Sequence, residues 1–223
     1  MRHFIRNTYI IFWKELQQEL RTRYAFNTIL AFVVSALLLI LFTLKAHQLE
    51  PIPKAGLIWI VILFTALAHL ARSFVMEAER LTLDLLRLHS RGITVFLGKW
   101  LYNSILTLVV NGFTFAIYML LMQMRVLNWP GFILLLVVGS ASLASITTLM
   151  ASLVAQAERK GLIYSVVSIP LLIPLILLLV QLTKISLVTG DWSTGLNDTA
   201  ALIGYFGATL SAGLVLFDYV WEA

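Results

Sequence analysis

The four histidines, His3, His47, His69 and His89, have the widest chemical range of any residues in this sequence, and none pairs with another at metal-binding spacing. Neither H-x-x-x-H nor H-E-x-x-H occurs. His69 alone falls within an apolar run, near its end. An imidazole there can ligate haem, relay a proton, or hydrogen-bond a neighbouring helix as a packing residue. For nucleophilic chemistry, Gly139-Ser140-Ala141-Ser142-Leu143 lacks the closing glycine of a nucleophile elbow. Gly92-Ile93-Thr94-Val95-Phe96-Leu97-Gly98-Lys99-Trp100 approximates a phosphate loop. Five residues rather than four separate its glycines, however, and Trp100 stands where a hydroxyl would hold magnesium. The backbone cradle depends on that spacing, so nucleotide energy, where used, is bound by another subunit. Glu15, Glu19, Glu50, Asp198 and Glu222 fall at terminal or loop positions, where solvation accounts for them. No acidic residue lies at the centre of an apolar run, which argues against an ion-coupled transporter. With no cysteine, disulfide frameworks, cysteine zinc sites, iron–sulfur clusters and covalent c-type haem attachment are excluded.

The elements that must position these groups are membrane spans. Of the 223 residues, 60% are hydrophobic and 12% charged, with a mean hydropathy of +0.92. A soluble domain is ~45–50% apolar and ~25% charged, so the bilayer is the solvent here. Six runs approach the ~20 residues that a spanning helix needs, at roughly 28–44, 57–75, 100–122, 132–155, 162–182 and 200–220. The fifth contains Pro170 and Pro174, which membrane helices tolerate when neighbours satisfy the freed carbonyls. None alternates with the period of two that marks a membrane barrel. The first run starts only after 27 residues and no cleavage pattern follows it, so the N-terminal end is expected to stay on the mature protein. Trp59, Trp100, Tyr102, Trp129 and Trp221 suit interfacial belts, and Gly204, Ala208 and Ala212 make a small-residue face on the sixth run.

Charge gives the orientation. The N-terminal arm (1–27), the connection 72–99 and the pair Arg159 and Lys160 hold 12 of the 16 basic residues, and the alternate side holds 4. By the positive-inside rule both termini are cytoplasmic. The excess charge of +5 thereby finds its account in the membrane, and no nucleic-acid partner is expected. A single transmembrane domain over 1–223 follows.

Two cytoplasmic stretches are longer than loops. In the arm, Phe4, Ile5, Tyr9, Phe12, Trp13, Leu16 and Leu20 share one half of a helical wheel, with Glu19 intruding and Ile10 and Ile11 straying. This pattern fits an interfacial helix on the cytoplasmic leaflet or an extension of the first span. In 72–99, Phe74, Ala78, Leu81, Leu85 and Leu88 form one apolar stripe. Glu77, Glu79, Arg80, Asp84, Arg87 and Arg91 surround it, and Gly92 reads as a stop. Such a helix can dock a partner or lie on lipid headgroups.

Several stretches together resemble the heme exporter protein B (CcmB) family. They are Gly56-Leu57-Ile58-Trp59 at the second span, Arg72-Ser73-Phe74-Val75-Met76-Glu77 at its exit, and Leu83-Asp84-Leu85-Leu86 followed by Gly98-Lys99. Arg159-Lys160-Gly161, the run Pro170-Leu171-Leu172-Ile173-Pro174-Leu175 and the closing Phe217-Asp218-Tyr219-Val220-Trp221-Glu222 continue the order. Leu81 and Ser90 depart from it, standing where the family usually has glycine and proline.

The resemblance implies an all-α, six-span, ABC-2-type permease subunit of the bacterial inner membrane, with no ATPase site and no bound cofactor of its own. Two copies would pair with two copies of a cytoplasmic ATPase that binds ATP, and with a haem-handling membrane partner that loads a periplasmic haem chaperone. Haem is then the transported or handled ligand. The resemblance makes the helix between the second and third spans a coupling helix, with Glu77, Leu81, Asp84, Leu85, Arg87 and Leu88 as its contacts to the ATPase. Passage of haem through this subunit and release of a loaded chaperone both stand as readings, since only Asp191-Trp192 marks the last external loop and no histidine pair brackets a haem site. An ABC-2 permease for lipid, glycan or drug is the alternative.

Overall fold

Apolar runs of spanning length satisfy their amides without water only by closing them into helices or barrels. The computed structural model describes residues 2–22, 24–43, 50–70, 86, 91–154 and 160–222. Among them every regular element is helical: α1 (Arg2–Thr22), α2 (Tyr24–Thr43), α3 (Pro51–Leu70), α4 (Gly92–Met122), α5 (Trp129–Val154), α6 (Lys160–Lys184) and α7 (Leu196–Glu222). A π turn at Ile185–Thr189 and a 3-10 turn at Trp192–Gly195 join the last two. Within the described residues, 5 helices are long and apolar enough to cross a membrane, and α3 supplies a shorter apolar stretch, Ile52–Leu67. The chain is an all-α integral membrane protein.

The two largest shifts from the hydropathy reading are at the starts of the second and third spans. The second span starts at Pro51 rather than near 57. Pro51 and Pro53 sit in the first turn, where the missing N–H groups have no intrahelical acceptor to lose. The connection 72–99 also ends early. Arg91 is extended (φ −71°, ψ 147°) and caps α4, so that Gly92 opens a helix instead of closing one. The segment 92–99 is thus the first two turns of the third span.

The centre of the bundle is α5, 67% buried over its apolar window against 17% for α2 and for the window of α7. Its buried residues mix the small polar Ser140, Ser142, Ser145, Thr147, Thr148 and Ser152 with Leu135, Leu143, Ile146, Leu149 and Met150. Small residues let backbones approach closely where the hydrophobic effect supplies no drive between helices. Their hydroxyls turn back to the preceding carbonyls, as Ser142 does to Val138 O and Thr147 to Leu143 O. Cross-helix bonds add to these. Trp59 Nε1 on α3 donates to Thr183 Oγ1 on α6 at 2.7 Å, and the same indole meets Phe115 edge-on at 5.5 Å.

At the end of the bundle away from the foot of α4, the loop before α5 is tied to the turn after α6. Leu127 N and Asn128 N donate to Ser186 O, and Asn128 Nδ2 donates to Gly190 O. Asn128 Oδ1 in turn accepts from Gly131 N and caps α5. Gly190 has φ +68°, a conformation that favours glycine. Gly131 faces the ring of Trp192 so closely that a Cβ there would lie 2.2 Å from Trp192 Cε3.

Candidate functional site

Among the described residues, the buried charged side chains, Glu15 and Lys99, meet at the foot of α4. Arg91 O accepts from Thr94 N and Val95 N and starts the helix. Gly92 lies against α7, where an added Cβ would come 2.9 Å from Trp221 Cβ and 3.1 Å from Asp218 Oδ1. Phe96 fills the space opposite Gly213, and Phe96, Phe217 and Trp221 form a chain of rings with centroids 5.5 and 5.1 Å apart. These contacts fix the end of α7 to the first turns of α4.

The opposite side of the foot holds α1. A Cβ on Gly98 would lie 2.8 Å from Ile11 Cβ and 3.0 Å from Thr8 O, so the glycine is the seat for the α1 backbone. One residue on, Lys99 is fully buried and its Nζ donates to Glu15 Oε1 at 2.8 Å. Glu15 is itself 8% exposed, with Lys14 Nζ at 3.9 Å from the same oxygen. Glu19, one turn further along α1, accepts from Phe26 N at 2.9 Å in the first turn of α2. A carboxylate at a helix N-terminus satisfies an orphan donor and complements the dipole. α1 therefore touches both α4 and the start of the first span through its two acidic residues.

One reading made from the sequence is corrected here. Glu15 and Glu19 are not solvated terminal carboxylates; each is engaged across an element boundary. The lysine of the phosphate-loop-like stretch is a buried ion-pair partner on a continuous helix, with no loop around it to cradle phosphate. The buried stripe of α1 is Thr8, Ile11 and Glu15, whereas Phe4, Ile5, Tyr9, Trp13 and Leu20 from its apolar half are exposed. In a membrane protein the outward medium can itself be apolar, so the greasy face need not be the one that meets protein.

Beyond the foot, α4 runs along α5 with polar rungs between them. Trp100 Nε1 donates to Ser145 Oγ at 2.9 Å, Asn103 Nδ2 to Thr148 Oγ1 at 2.7 Å, and Asn111 Nδ2 to Ser140 Oγ at 2.9 Å. Buried amides and hydroxyls paired in this way fix the register of two spans. The foot is thus braced by α1, α5 and α7 at once.

The sequence-derived coupling residues Glu77, Leu81, Asp84, Leu85, Arg87 and Leu88 lie outside the described residues, as do Leu81's companion departure Ser90 and the stripe as a whole. Leu86, within that stretch, is helical and half-buried against the core. His69 is the penultimate residue of α3, and its side chain is outside the description. Among the described residues no group of three or more His, Cys, Asp or Glu could hold a metal ion. In the last loop Asp191 accepts from Ser193 N and Oγ, and the hydroxyl bond first, then the amide bond, hold its pKa below the ordinary carboxylate value.

Fold and site together define a multi-pass, all-helical membrane protein whose buried charges brace helices. The family is shown by sequence: a model described as CcmB protein matches residues 6–219, and the chain belongs to that family. Its members are heme exporter permease components of cytochrome c maturation, which places this chain among transporter subunits of haem transport and c-type cytochrome biogenesis. No curated protein matches the chain significantly.

Proposed function

We propose that this chain is the permease through which a cytoplasmic ATPase drives haem export, or release of a haem-loaded chaperone, on the periplasmic side of the bacterial inner membrane. The observation that carries the reading is the bracing of the foot of α4. The coupling stretch leads along the sequence into α4, whose N-cap residue Arg91 is extended. Any displacement delivered to Leu81, Leu85 and Leu88 by the ATPase then meets a helix end held on one side by Lys99 and Glu15 and on the other by Phe96, Phe217 and Trp221. Packed contacts of this kind move as a body rather than deform. α4 carries α1 and α7 with it, and α1 carries the start of α2 through Glu19.

In this reading ATP closes the partner ATPase dimer, two copies of this chain receive the motion, and a haem-handling membrane partner and periplasmic chaperone receive its output. The ATPase supplies differential binding energy between two states, and the permease converts it to rearranged spans. The asymmetry of basic residues puts both termini and the foot of α4 in the cytoplasm. The role of Glu77, Asp84 and Arg87 is to flank the apolar stripe and align the docked helix.

Leu85→Asp tests the proposal. A carboxylate in an apolar contact is penalised by a few kcal/mol, and the position lies outside the spans, so membrane levels stay normal. Retention of the ATPase on co-purification and c-type cytochrome maturation are both expected to fall. Full retention of the ATPase with normal cytochrome levels refutes it.

A further inference from the structure

Hydroxyls on the membrane helices of this chain share a habit. Thr65 donates to Val61 O, Thr114 to Val110 O, Thr147 to Leu143 O and Thr183 to Leu179 O, each one turn back. This satisfies a hydroxyl where there is no bulk water. Thr107 departs from it. The residue is 6% exposed, and its Oγ1 has no hydrogen-bond partner among the described residues. It is also the central residue of α4, 15 positions from Gly92 and 15 from Met122. A bare hydroxyl at that place is penalised unless something pairs with it.

The space beside it is of a size to hold that partner. Thr107 lines a half-open cavity of 20 Å³ between α2, α3 and α4, with mostly apolar walls that include Ile29, Ile62 and Val110, and with Thr65 and Asn111 as its other polar residues. One water needs roughly 10–15 Å³ and two to four polar partners, whereas cavities that stay empty are apolar. Capacity matches as well. Thr65 Oγ1 spends its proton on Val61 O, and Asn111 spends one N–H on Ser140 Oγ, which leaves both with acceptor capacity. Thr107 has a donor to give. A second space of 10 Å³, which shares Ile29 and Val110 as walls, has Thr114 as its one polar residue, and that hydroxyl is already bonded to Val110 O. Ser104, one turn nearer the foot, also lacks a partner among the described residues but is not on the cavity wall.

We propose that the α2–α3–α4 cavity is a binding site for one water molecule, which accepts from Thr107 Oγ1 and donates to Thr65 Oγ1 and to the side-chain carbonyl of Asn111. The water ties α3 to α4 at the middle of the third span, and α2 contributes Ile29 to the wall. The site is independent of how the coupling stretch works.

A double-mutant cycle in the full chain, reconstituted in lipid nanodiscs, tests it by thermal unfolding. Thr107→Val keeps the shape and removes the hydroxyl, and Thr65→Val removes a second member of the bridge. Each single substitution is expected to lower Tm by about 2–4 °C, the shift of a lost hydrogen-bonded contact in a chain of this size. The double variant should fall no further than the worse single one, because both break the same bridge. A rise or no change in Tm for Thr107→Val, or strictly additive losses, overturns the site. Should a variant fail to insert, water-edited solid-state NMR of the unaltered chain in bilayers decides it: transfer from water to the Thr107 side chain is expected, and its absence overturns the proposal.

Discussion

Removing one member of the Lys99–Glu15 pair leaves the other charge buried, and the structure sets the scale of that penalty. The charged atoms are 2.8 Å apart, with Lys99 fully buried and Glu15 8% exposed. At an effective dielectric of about 20 their attraction is about 6 kcal/mol. Desolvation of both groups offsets most of it, so the pair as a whole adds little net stability. Breaking it is another matter: Lys99→Met leaves the buried carboxylate with only the more distant Lys14, and Glu15→Met takes the nearest carboxylate from a fully buried ammonium, each for a penalty of about 3–5 kcal/mol. In Tm this is on the order of 10 °C for a chain of this length. The double variant Glu15→Met/Lys99→Met keeps two flexible side chains of similar length against Ile11 and Gly98 and leaves no orphan charge. It should lie near the parent in Tm or above it. The exchange Glu15→Lys/Lys99→Glu should recover part of the loss. Differential scanning fluorimetry of the four proteins in one detergent measures the cycle, and c-type cytochrome levels in cells carrying each report whether the brace is also needed for function. Additive losses in the double Met variant would mean that the two residues act separately, and the brace between α1 and α4 would have to be abandoned.

Two other expectations follow from packing and charge. Gly131→Ala puts a methyl within 2.2 Å of the Trp192 ring and should lower Tm by an overpacking penalty of about 1–3 kcal/mol. Gly204→Ala, with nothing within 4 Å, should be neutral or slightly stabilising in the same assay, and equal losses at both sites would show the contact with Trp192 to be unimportant. For topology, the chain has no cysteine, so single cysteines report cleanly. Glu222→Cys should resist an impermeant thiol reagent in intact cells while Asp191→Cys reacts; labelling at 222 from outside contradicts the assigned orientation.

The helical class and the six apolar elements were legible without any structure, because spanning length is a property of contiguous composition and a bilayer leaves the backbone few ways to satisfy itself. The family was legible too, since its short motifs keep their order along the chain even where Leu81 and Ser90 depart from them. Local sequence could not supply the partners of the charged residues. Glu15 and Lys99 are 84 positions apart, and read singly one is a carboxylate on an N-terminal arm and the other a lysine after a glycine. Only the packing of α1 across Gly98 takes both out of water and turns them into a pair. The same holds for the face of α1 that meets protein: amphipathic periodicity shows which side is apolar, but when the surroundings are lipid as well as water it does not say which side faces inward. Nor does local sequence decide where α4 begins: Gly92–Lys99 mixes four apolar residues with two glycines and a lysine, and Gly92 reads equally as a stop until Trp221, Phe217 and Ile11 from other elements pack against this turn of helix. Burial is a relation between segments, so it was settled by the tertiary structure.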